Sequence, residues 1–68
     1  MTNENALEVL KGLMLMHEES ASISPAVRVE SGNALASAIG VLVVLIGITE
    51  TEQAVIEATD WVASVAEI

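Results

Sequence analysis

His17 is followed directly by Glu18 and Glu19, and a histidine beside two carboxylates is a candidate pH-responsive group. It is the sole histidine, so an ordinary role at a helix terminus, where a cation complements the dipole, is the plainer reading. Glu57 and Asp60 stand three apart, which places both carboxylates on one side of a helix. In a membrane or tight bundle such a pair can line a polar channel, hold a cation or carry protons. On a water-facing helix the same pair is a solvated stripe. Serine nucleophile chemistry has no supporting motif here, and no glycine-rich phosphate loop is present. Calcium-loop spacing is also missing, and without cysteine there is no thiolate zinc site. No catalytic, cofactor-binding or metal-ligating residue is assigned, and the chain is expected not to be an enzyme.

The elements that would position these groups are helical. Ala6, Leu7, Val9, Leu10, Leu13, Met14 and Met16 recur near a 3.6-residue period, which predicts a first helix over about 5–18. Asn5 with Glu8 reads as its N-cap and reciprocal acid, and Glu8 with Lys11 as an i,i+3 ion pair. The methionines are expected to serve packing. Residues 19–24 read as a connector. Ser24-Pro25 is a strong start signal for a second helix over about 25–48, because serine caps free amides and proline suits the first turn.

Within that second segment, Ser31 to Thr49 is a run of 19 residues without a charge. As a helix it would span about 28 Å, close to the hydrocarbon thickness of a bilayer. Three readings compete: a membrane span, a helix buried on all sides in a soluble oligomer, and a buried strand from Val41 to Ile46. The alternation in Val27-Arg28-Val29-Glu30 and a turn at Ser31-Gly32-Asn33 would suit the strand. Gly32, Ala36 and Gly40 recur every fourth residue, forming a strip on which two helix backbones can approach closely.

Thr49 and Glu52 match a capping box for a third helix over about 50–67. Its polar residues Gln53, Glu57, Asp60, Ser64 and Glu67 form one narrow stripe, leaving a wide apolar girth. Such a helix is expected to be mostly buried or to lie in a lipid interface. Trp61, the sole aromatic residue, is either a candidate interfacial anchor or a core side chain.

Composition narrows the classes. The 68 residues carry 2 basic and 10 acidic side chains, a net charge of −8, while 53% are hydrophobic. Mean hydropathy is +0.63. Nucleic acid is not an expected partner, because phosphate binding needs clustered lysine and arginine. With 18% charged residues, the carboxylates are too sparse to imitate a nucleic acid. Disorder is not expected of so apolar a chain. Met1-Thr2-Asn3-Glu4 offers no basic n-region, so no secretory signal is expected.

A chain this short exposes much surface per unit volume and usually needs partners to cover its apolar residues. The expectation is one all-α domain over 1–68, with two to three helices and an apolar central one. It would be a non-enzymatic structural subunit, membrane-associated, whose central helix inserts in or spans a bilayer. It would self-associate within a larger assembly such as a virion or membrane complex. Lys11 and Arg28 both precede the apolar run, which would place the N-terminus on the cytoplasmic or virion-interior side. The alternative is a soluble, cytoplasmic, acidic helical oligomer, a dimer for choice, acting as an interaction or inhibitory module.

Overall fold

Serine chemistry shapes the first connection. In the computed structural model, which describes residues 3–66, helix α1 runs Asn3–Ser20, α2 Pro25–Ile46 and α3 Ile48–Ala66. The last four carbonyls of α1 have no helical partner of their own. They are satisfied locally. Ser20 Oγ donates to the His17 carbonyl at 2.5 Å, and Ser22 Oγ donates to that of Glu19 at 2.9 Å. The amides of Ala21, Ser22 and Ile23 donate to the carbonyls of Glu18, Glu19 and Ser20, tightening the chain end to an i→i−3 pattern. Ser24 is extended (φ −166°, ψ 157°) and its Oγ accepts from the Val27 amide at 3.2 Å, with Pro25 opening α2.

Several boundaries differ from the sequence expectation. The helix α1 already includes Asn3, so Asn5 lies inside it and is not the N-cap. The connector is shorter than 19–24, because Glu19 and Ser20 are helical. Residues 27–33 and 41–46 are helical, which removes the strand and turn readings; local alternation is overridden by a continuous helical ladder from Pro25. The second helix ends at Ile46 rather than Ile48, since Gly47 takes φ +90° and ψ 166°, backbone that favours glycine. Its amide donates to the Val43 carbonyl at 3.0 Å, closing α2. Its carbonyl accepts from the amide of Thr51 at 3.1 Å and from Thr51 Oγ1 at 2.7 Å, opening α3. One residue thus ends one helix and starts the next. Thr49 is consequently inside the first turn of α3, so the Thr49–Glu52 capping box is not used in its expected register. Glu67, the last residue of the predicted stripe, lies outside the described residues.

The three helices run up, down and up. Asn3 donates a side-chain hydrogen bond to Glu50, and Met14 lies against Thr59, so α1 and α3 advance in parallel. His17 near the end of α1 meets Ser31 near the start of α2, so α2 runs the other way. Helix α1 packs against both neighbours, whereas α2 and α3 touch each other least. The buried core is Ala6, Leu10, Leu42, Ala54 and Ala58. Three of these are alanines, whose small side chains allow α1 and α3 to approach closely. The resulting body is broad and thin, with principal extents of 33 × 25 × 14 Å.

Candidate functional site

The apolar surface of α2 is the dominant feature. Apolar residues occupy every side of this helix, yet Leu42 is its one fully buried residue. The 18-residue window that makes α2 long and apolar enough to cross a membrane has a mean hydropathy of 1.8 and is 6% buried. Leu35 and Leu42, two turns apart, face the core. The opposite face changes character along its length. On the first half the exposed Val27 and Val29 (40% and 62%) alternate with exposed Arg28 and Glu30, and Asn33 and Ser37 follow on the outer side, so the face is mixed there. From there Val41, Val44 and Leu45 take over, 57%, 85% and 56% exposed, and Ile48 beyond the corner is 70% exposed.

The Gly32-Ala36-Gly40 strip is divided. A β-carbon at Gly32 would stand 3.3 Å from His17 Cε1, so this end is turned toward α1 within the chain. Ala36 is exposed, and a β-carbon at Gly40 would meet nothing within 4 Å. The outward part of the strip is therefore Ala36 and Gly40.

His17 is tied to the α1–α2 junction rather than free at a helix end. Its Nδ1 lies 2.8 Å from Ser31 Oγ, and that hydroxyl also lies 3.2 Å from Ser20 Oγ and 3.0 Å from the Arg28 carbonyl. Ser20 is itself buried. Ser31 carries one hydroxyl proton, so it cannot donate to all three neighbours at once. When it donates to Ser20 or to Arg28, His17 must donate from Nδ1; when it donates to His17, that nitrogen accepts. Nothing in the sequence signals this cluster, because it depends on a hairpin bringing together residues 14 apart.

Along α3 the stripe residues Gln53, Glu57, Asp60 and Ser64 are exposed. Only Thr51, Ala54, Ala58 and Val62 are buried. The expectation of a mostly buried third helix is therefore not met inside this chain; α1 covers one face and the broad, thin packing leaves the rest open. Trp61 is half-buried at the α1–α3 edge, with Lys11 Nζ 5.3 Å from the ring centroid. Lys11 also pairs with Glu8 at 3.6 Å, the i,i+3 contact expected from sequence. Met14 packs beside the core, but Met16 is 61% exposed, so the second methionine is not a packing residue here.

A cavity of about 390 Å³ opens where the helices diverge, lined on the apolar side by Met14, Leu35, Val62, Ala63 and Ala66 and on the polar side by His17, Glu18 and Thr59. Thr59 already donates to the Val55 carbonyl at 2.7 Å and lies 3.7 Å from Met14 Sδ. Among the described residues no group of three or more histidine, aspartate or glutamate side chains converges as a metal site. Set against family models, curated proteins and solved structures, the chain matches none.

Proposed function

We propose that this protein is a non-enzymatic structural subunit whose α2 inserts into a membrane and associates with neighbouring copies in a larger assembly. The observation that carries the reading is the coverage of α2. The core helix of a self-sufficient soluble domain is mostly hidden by its own chain, whereas here 6% of the apolar window is hidden. That surface needs a cover from outside, and lipid is a cover that suits a helix apolar on every side. Ala36 and the bare backbone at Gly40 then offer a strip on which the helix of a neighbouring copy can approach closely at the membrane. No cofactor or nucleic acid enters this reading, and the exposed stripe of α3 is acidic.

The packing constrains how α2 can enter. Helices α1 and α3 lie alongside it and carry Glu8, Lys11, Glu52, Glu57 and Asp60. A charge at the bilayer centre costs about 2.5–3.5 kcal/mol on insertion scales. Submerging four of these would cost about 10 kcal/mol or more, comparable with the whole stability expected of a domain this size. A fully spanning α2 therefore requires the bundle to open, while a shallow insertion leaves it closed.

The competing reading is a soluble acidic oligomer in which a second copy covers α2. The exposed carboxylates of α1 and α3, which favour water, support it. Extraction separates the two. A membrane subunit stays with the membrane pellet through an alkaline carbonate wash and is released by detergent. Release by carbonate alone, with a small defined oligomer in detergent-free buffer, would reject the membrane reading.

A further inference from the structure

The change from a mixed to an apolar outer face along α2 says which part of the molecule meets the lipid. We infer that the corner at Gly47, led by Val41, Val44, Leu45 and Ile48, inserts into one leaflet of a zwitterionic bilayer while the bundle stays closed. This rests on the membrane reading above and fixes its depth and orientation. Arg28, Glu30, Asn33 and Ser37 interrupt the first half of α2, so its exposed Val27 and Val29 form no continuous apolar face and the polar groups hold that end at the water side. The aliphatic stretch from Val41 to Ile48 rises about 10 Å, the depth to which interfacial helices sink.

The corner itself is suited to lipid. Among residues 25–66 only Gly47 lies outside regular helix, and its amide and carbonyl are both bonded within the chain. Lipid offers no partner to irregular backbone, so this internal pairing is what an inserting turn requires. Glu4 of α1 and Glu50 and Glu52 of α3 are also exposed at this end, so the outer face of α2 leads and the insertion stops where these carboxylates reach the headgroups; Glu50 accepts a hydrogen bond from the Asn3 side chain. A net charge of −8, with no basic residue on α2 after Arg28, disfavours an anionic surface and leaves a zwitterionic one. A second copy is a poorer occupant, because a stable interface uses about 20–30 residues a side and this corner presents four large aliphatic side chains.

The test uses tryptophan as a depth reporter. In the full chain carrying Trp61→Phe, a single tryptophan is placed by Val29→Trp, Ser37→Trp or Val44→Trp. All three positions are exposed, so circular dichroism should show unchanged helicity. Each variant is mixed with phosphatidylcholine vesicles brominated along the acyl chains. One-leaflet insertion predicts quenching at 44 several-fold stronger than at 37, and none at 29. Strongest quenching at 37, with weaker quenching at both 29 and 44, would overturn this inference in favour of a span and leave the membrane reading standing. No quenching at any position would overturn both. Blue-shifted emission at 44 without lipid, growing with protein concentration, would assign the corner to a second copy.

Discussion

Replacing Val44 with alanine separates the fold from its surroundings. Val44 is 85% exposed and adjoins none of the core residues. Substitutions of that kind change stability by about 0.5 kcal/mol or less. A urea melt of Val44→Ala should therefore overlay that of the parent chain. Its effect on lipid binding should be much larger. The change deletes two methyl-sized groups, worth about 1.6 kcal/mol if moved fully from water to hydrocarbon. Scaled by the exposed fraction this is about 1.4 kcal/mol, or roughly tenfold in the partition constant. Vesicle titration followed by the emission of Trp61, the sole aromatic residue, reads that constant directly. Leu10→Ala is the counterpart: Leu10 is fully buried in the core, and the loss of about 2–5 kcal/mol should leave the chain largely unfolded. An unchanged partition constant for Val44→Ala, or a melt displaced as far as that of Leu10→Ala, would refute the reasoning.

Three further outcomes follow from the same packing. Gly12 is exposed inside α1 and a β-carbon there meets nothing within 4 Å, so Gly12→Ala should raise stability by about 1 kcal/mol, read as a Tm increase of about 4–8 °C. Gly40→Leu should leave the monomer fold intact by circular dichroism, because the site is open, but should reduce cross-linked oligomers in membranes; unchanged cross-linking would reject the small-residue contact. Glu57→Gln with Asp60→Asn should leave thermal melting nearly unchanged, since both are exposed, and a loss of ion flux through vesicles would instead show that the stripe conducts.

Local chemistry makes some of the fold readable in the sequence. Ser24-Pro25 marks its helix start because the cap and the ring act on adjacent residues, and the 3.6-residue period of Ala6, Leu10 and Met14 describes one face of one helix. The corner was not readable in the same way. Gly47 sits inside an unbroken apolar run, and Thr49 with Glu52 imitates a start signal two residues too late. The conformation of Gly47, not the pattern around it, decides where α2 stops. The site was half legible. The length and lack of charge of α2 are sequence properties, but its coverage depends on where α1 and α3 lie. The meeting of His17 with Ser31 and Ser20, and of Lys11 with Trp61, likewise needs the hairpin that joins distant positions.

Flotation of the purified chain with phosphatidylcholine vesicles on a density gradient, without detergent, tests the central claim most directly. The exposed face of α2 predicts that the protein rises with the lipid and stays there in high salt, because apolar burial and not charge holds it. Recovery of the whole sample at the bottom of the gradient, as a monodisperse species of one chain, would contradict the account.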